Sequence, residues 1–176
     1  GGHLAREKRA AKGSTYVAQL HQGERLFAFD PYILSALGDY YGGRGDWAML
    51  ESITLKLAQS SEPFMANGFI YQLCRYKNAD PARRILPAYV SNSIRLNKFP
   101  PQDSLKIYNA GLMTALHAAE DWPALDSLVA SDPNLVKNRD YPYVAVPMLL
   151  NLGRVPEAIE LAKDLVLRGY DLDSMG

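Results

Sequence analysis

Residues 140–173, DYPYVAVPMLLNLGRVPEAIELAKDLVLRGYDLD, decide the fold. They read as two helices and a sharp turn. An apolar run over 143–152 stops at Gly153, a residue suited to the left-handed backbone that ends a helix. Pro156 then sits in the first turn of a second helix, where a missing N–H costs nothing. Ala158, Ile159, Leu161, Ala162, Leu165 and Val166 recur at helical spacing and predict one apolar stripe, with Glu157, Glu160, Lys163 and Asp164 opposite. Arg168 closes the last turn beside the negative end of the helix dipole, and Gly169 breaks it. A hairpin with an apolar face on each arm cannot bury both faces alone. The pattern therefore predicts neighbours of its own kind.

Aligning on Ala158 finds them upstream. Ala124 lies about 34 residues back, Ala82 about 42 further and Ala48 about 34 further still. Each alanine follows a turn-like stretch: GRGDW, KNADP, AEDWP and GRVPE. A small residue there lets the two arms of a hairpin approach closely. The spacing predicts an all-α fold, a right-handed α-solenoid of about four helix-turn-helix repeats, against the alternative of an irregular helical bundle. Residues 1–28 form a basic arm and capping segment. Residues 29–176 form the repeat domain, divided at 29–62, 63–104, 105–138 and 139–173. The long joint over 91–104 accounts for the wider spacing between Ala82 and Ala124.

Composition narrows the function classes. Nineteen basic and nineteen acidic residues give a net charge of zero, so the global charge makes no case for DNA, RNA or a membrane surface. No apolar run approaches the ~20 residues that span a bilayer, so membrane insertion is not expected. The lone Cys74 excludes an intrachain disulfide and fits a reducing compartment. The chain opens on Gly1-Gly2-His3 without methionine, as a processed product or part of a longer chain would.

Taken in order, residues 3–12 predict a short basic helix ended by Gly13 and Ser14. It is either a solvated arm or one reaching to RNA or an acidic partner. Val17, Leu20, Leu26 and Phe27 predict a capping helix within 15–29. Asp30 is an N-cap with Pro31 at the first helical position, and Asp80 with Pro81 repeats the signal. The cluster Gly42-Gly43-Arg44-Gly45 has no strand before it and no Gly-Lys-Ser/Thr after it, so it is a turn and not a phosphate loop. His3, His21 and His117 lack metal-ligand spacing, and Glu120-Asp121 reads as a helix cap. No hydrolase, metalloprotease or cysteine-nucleophile pattern occurs. The chain is expected to be non-catalytic, with no metal or cofactor.

The pair Tyr108-Asn109, the small Ala124, and the GRVPEAIEL run leading to Gly169 and Asp173 resemble the pentatricopeptide repeat family. Its members are helical hairpins of about 35 residues. The resemblance covers most of the chain after Phe29 and is closest in the fourth segment. The Trp-x-x-Leu-Gly-x-x-Tyr signature of tetratricopeptide repeats is absent. The family resemblance implies single-stranded RNA or ribonucleoprotein as partner and a mitochondrion or other organelle as location. It implies one base read per repeat by a residue early in the first helix and one at the repeat's end. Carried over, the pairs are Ile33 with Glu62, Asn67 with Ser104, Asn109 with Asn138, and Tyr143 with Asp173. Arg75, Lys77, Lys137 and Arg139 would supply phosphate contacts. Ile33 offers no hydrogen bond and Pro142 and Pro147 interrupt the last repeat, which resembles the degenerate tracts of family members that serve as ribosomal or scaffold subunits. Two functions follow: RNA or ribonucleoprotein association, and a protein-binding scaffold subunit of a large complex.

Overall fold

The computed structural model describes residues 2–135 and 142–169. Among these residues the chain is all-helical, with no strand. The helices are α1 (Gly2–Leu26), α2 (Pro31–Arg44), α3 (Trp47–Ala58), α4 (Ala66–Tyr76), α5 (Asp80–Arg95), α6 (Ser104–Ala118), α7 (Trp122–Ser131), α8 (Pro142–Asn151) and α9 (Val155–Leu167). Single 3-10 turns, Pro63–Met65 and Pro101–Asp103, lead into α4 and α6.

Turn chemistry sets where these helices stop and start. Asp30 accepts from the N–H groups of Tyr32 and Ile33, and Pro31 opens α2 as its sequence demands. Three of the junctions close in one way. Gly45 N–H donates to the Gly42 carbonyl and Asp46 N–H to Tyr41. Glu120 and Asp121 repeat this with His117 and Leu116, and Gly153 and Arg154 repeat it with Leu150 and Leu149. The first residue of each pair is left-handed, with φ of 70°, 55° and 71°. Asp46 and Asp121 then cap the next helix through the N–H groups of Met49 and Ala124. The fourth junction differs. Asn78 Oδ1 accepts from Asp80 N–H at 2.9 Å, so Asp80 is the first helical residue and not the cap.

This shared turn sets the register of the helices that follow it and corrects the alanine alignment. The fourth residue of α3, α7 and α9 is Leu50, Leu125 and Ala158, and all three are buried. Ala48 is exposed and Ala124 half-buried, because each sits one or two residues early on the helical wheel. Ala82 and Ala158 do lie in the core.

Packing follows chain order. Each of α1 to α5 packs on its successor, and so do α6 on α7 and α8 on α9. Contacts two along join α2 to α4, α3 to α5, α4 to α6 and α6 to α8. Glycines permit the closest of these contacts. A methyl at Gly38 would lie 2.6 Å from Phe69 Cζ, where α2 meets α4. One at Gly111 would lie 2.6 Å from Leu86 Cδ2, where α6 meets α5. Two apolar clusters result. One runs from Leu34 through Leu57, Leu73 and Leu86 to Ala118; the other gathers Met113, Leu125, Val129, Met148 and Ala158. They meet at α6, where Leu112 and Ala119, the residue that caps the helix, touch both.

The amino-terminal helix differs from its reading. Gly13 and Ser14 do not end it; α1 runs unbroken to Leu26. Gly13 costs only about 1 kcal/mol in a helix interior, a loss the rest of a long helix overrides. Gly23 serves close packing instead, since a Cβ there would meet Ile33 Cδ1 at 3.0 Å. Val17 and Leu20 pack on the core as expected, but Leu26 and Phe27 are exposed, at 69% and 64%.

Candidate binding surface

The residues expected to meet a partner do not share one position on their helices. Asn67 is the second residue of α4 and is exposed. Arg75 is also exposed, in the last turn of the same helix. Eight residues separate the two, about 12 Å along the axis, so they sit at opposite ends of α4 and not at one spot. Asn109 is half-buried on α6. Its Nδ2 donates to Asp132 Oδ2 at 3.3 Å, which ties α6 to the carboxyl end of α7. Beside this bond lies a hollow of about 230 Å³ lined by Lys106, Asp132, Asn134 and Leu135. It is smaller than the ~300–1,000 Å³ of ordinary small-molecule sites. Tyr143 lies in the first turn of α8. Its side chain, and Lys137, Asn138, Arg139 and Asp173, fall outside the described part of the chain.

Several surface cations are paired within the chain, while others, Arg75, Lys77, Lys106 and Lys163 among them, have no carboxylate partner among the described residues. Arg84 Nε donates to Glu51 Oε1 at 2.6 Å, and that bond raises the Arg84 pKa. Arg83 meets Asp80 at 2.9 Å, and Arg154 grips both carboxylate oxygens of Glu157 at 2.8 Å. Arg168 pairs with Asp164, and Lys98 lies 3.8 Å from Glu62. Such exposed pairs stabilise the fold by little. Their effect here is on the field, because each carboxylate offsets a cation that would otherwise attract phosphate.

One polar network joins the first three helices. His21 Nδ1 contacts Glu24 Oε2 at 3.1 Å, His21 Nε2 contacts the Tyr41 hydroxyl at 2.6 Å, and Lys56 bonds Glu24. Burial pushes the Glu24 carboxyl up, but the bonds and charges of Lys56 and His21 outweigh it and hold the pKa below its usual value. Burial, with neighbouring Tyr40, Asp46 and Glu24, raises Tyr41. The network anchors α1 and needs no ligand to complete it.

Cys74 and His117 are both shielded by their surroundings. Cys74 is buried, and burial pushes its thiol up to about 11, far from a reactive thiolate. His117 lies edge-on to Trp122, with ring centroids 5.7 Å apart, and burial lowers its pKa. Among the described residues no group of three His, Cys, Asp or Glu side chains is placed to hold a metal ion. Nor is any described helix long and apolar enough to cross a membrane.

Sequence reading missed the exposed apolar side chains. Tyr32, Phe64 and Leu105 are 73%, 58% and 68% exposed, at the starts of α2, α4 and α6. The clue was position: each falls in or just before a first helical turn, ahead of the residues that face the core. The single stripe read on α9 also divides. Ala158 and Leu165 are buried, whereas Ile159 and Val166 are about half exposed. Six apolar residues spread too far round one helix to share a single face. The chain matches no protein-family model, no curated protein sequence and no solved structure.

Proposed function

We propose that the chain is a non-catalytic helical-repeat binding protein, four hairpins stacked as a right-handed solenoid, that holds a protein partner within a larger assembly. The observation that carries this reading is the combination of cations paired within the chain and apolar side chains left in solvent. Arg83, Arg84, Arg154 and Arg168 are all engaged by carboxylates, while Tyr32, Phe64 and Leu105 stand exposed. Protein interfaces are enriched in aromatic anchors. In a stacked row the starts of α2, α4 and α6 share one edge, so these three side chains form a discontinuous apolar rim.

The resemblance to pentatricopeptide repeats supports a second reading, RNA or ribonucleoprotein association in an organelle such as the mitochondrion. The exposure of Asn67 and Arg75 favours it locally. The Asn109 amide is less available, because Asp132 already accepts from it and adds negative charge. The test is isolation of the tagged chain from its native cells. A stoichiometric protein partner that survives ribonuclease and is lost with Tyr32→Ser and Phe64→Ser supports the scaffold reading. Partners lost on ribonuclease treatment alone would replace it with the RNA reading.

A further inference from the structure

We propose that α1 is a strap latched by the Glu24 carboxylate, which opens from α2 and α3 as a unit while the other helices stay folded. The device is independent of whichever partner the rim takes. It starts from how little apolar contact holds α1. Each of α2 to α9 places at least two buried apolar residues in the fold. Among the described side chains of α1, over 13–26, none is buried. Val17 and Leu20 lie half-buried against the core, and Tyr16, Ala18 and Gln19 are exposed. Gly23 adds a close approach to Ile33 but no side chain of its own. The hydrophobic effect scales with the apolar area removed from water, so it contributes less here than in any other helix. A segment with few buried apolar contacts opens at a free energy below that of global unfolding.

The attachment of α1 is polar instead, and it converges on one group. Glu24 Oε1 bonds Lys56 of α3, and Glu24 Oε2 lies 3.1 Å from His21 Nδ1. His21 Nε2 in turn lies 2.6 Å from the Tyr41 hydroxyl of α2. One carboxylate thus ties α1 to α3 directly and orients the ring that ties it to α2. Besides Lys56 and Tyr41, the titratable and charged groups facing this cluster are Tyr40, Arg44 and Asp46, at the end of α2 and in the turn after it. The Glu24 side chain is 16% exposed and that of Lys56 44%. On opening, the lysine loses little. The carboxylate, which is held in place of water by its two partners, decides the closed state. Removing the Lys56 charge leaves it partly desolvated and underpaired, a greater loss than breaking a fully exposed pair. Protonation acts in the same direction. The closed strap holds the Glu24 pKa below its ordinary 4.5, so the latch is complete above 4.5 and is lost as pH falls through the depressed value. Release uncovers Ile33 and Tyr41 on α2, which Gly23 and His21 approach in the closed state.

Native-state hydrogen exchange of the full chain tests this. The amides over 17–26 should exchange through an opening more frequent than the one that exposes Leu73 of α4 and Leu116 of α6. Lys56→Met should make the α1 opening about tenfold more populated and leave the Leu73 and Leu116 amides as they were. Lys56→Arg keeps the charge and should exchange like the parent. Arg84→Met removes a cation paired with Glu51 between α5 and α3, and should leave the α1 opening unchanged. In the parent the α1 opening should grow as pH falls through the depressed Glu24 value, and in Glu24→Gln that growth should be absent. Amides of α1 that exchange only together with those of Leu73 and Leu116, through global unfolding, would overturn the strap. A separate α1 opening that is unchanged by Lys56→Met, or that grows equally with acid in Glu24→Gln, would overturn Glu24 as its latch.

Discussion

Replacing glycine by alanine in two neighbouring helices should give opposite results. In an exposed helix interior the change stabilises by about 1 kcal/mol, because alanine loses less backbone entropy. Gly68 in α4 is such a site: a Cβ there meets nothing within 4 Å. Gly68→Ala should stabilise by roughly 0.5–1 kcal/mol. Gly38 in α2 is not. Its Cβ would lie 2.6 Å from Phe69 Cζ and 2.9 Å from both Cε atoms. Carbon atoms in contact prefer ~3.5–4.0 Å, so the ring must retreat by about 1 Å. Phe69 is only 8% exposed and packed on every side, and overpacking of this kind costs ~1–3 kcal/mol. Gly38→Ala should therefore destabilise by up to ~2 kcal/mol after the helix gain is subtracted. The two variants should differ in melting temperature by roughly 5–10 °C. Phe69→Leu makes room, so adding Gly38→Ala to it should be neutral or stabilising. If Gly38→Ala alone melts at or above the parent temperature, α2 does not pack on α4 in this way.

Other consequences are simpler to state. Glu120 occupies the left-handed position held by glycine in the two equivalent turns, so Glu120→Gly should raise stability by ~0.5–1 kcal/mol in urea unfolding, and a loss would refute the equivalence. Ala158 is 1% exposed in the last hairpin, and Ala158→Leu should cost ~1–3 kcal/mol. The exposed control Lys163→Ala should stay within ~0.5 kcal/mol, and equal melting temperatures would reject the packing. His117 is held below its ordinary value of 6.5, chiefly by burial. The folded state therefore resists protonation, so its contribution is fully present above 6.5 and is lost as pH falls through the depressed folded value. His117→Gln should flatten that part of the stability profile, and an unchanged profile would show that His117 does not carry it.

Much of the helix layout could be read from local chemistry. Asp30 with Pro31, Asp121 ahead of Trp122, and Gly153 ahead of Pro156 each act through atoms within a few residues. What escaped the reading depends on distant partners. Gly13 and Gly23 look like breakers, yet Gly23 is where Ile33 approaches α1. Small residues do not mark equivalent positions in the hairpins, because the turn, and not side-chain size, sets the phase of each helix. Exposure of Ile159 and Val166 could not be told from burial, since an uncovered face and a covered one have the same apolar composition. The amide of Asn109 read as available to a base; its bond to Asp132 joins residues that sequence distance does not pair.

The central claim, that this surface is built for a protein and not for a phosphate backbone, is tested most directly by equilibrium binding of the purified chain to single-stranded RNA at physiological salt. With Arg83, Arg84, Arg154 and Arg168 each held by a carboxylate, the account predicts no retention of mixed-sequence RNA, and no effect of Arg75→Ala or Asn67→Ala. Retention that falls steeply with added salt, and is weakened by Arg75→Ala across all sequences, would contradict it.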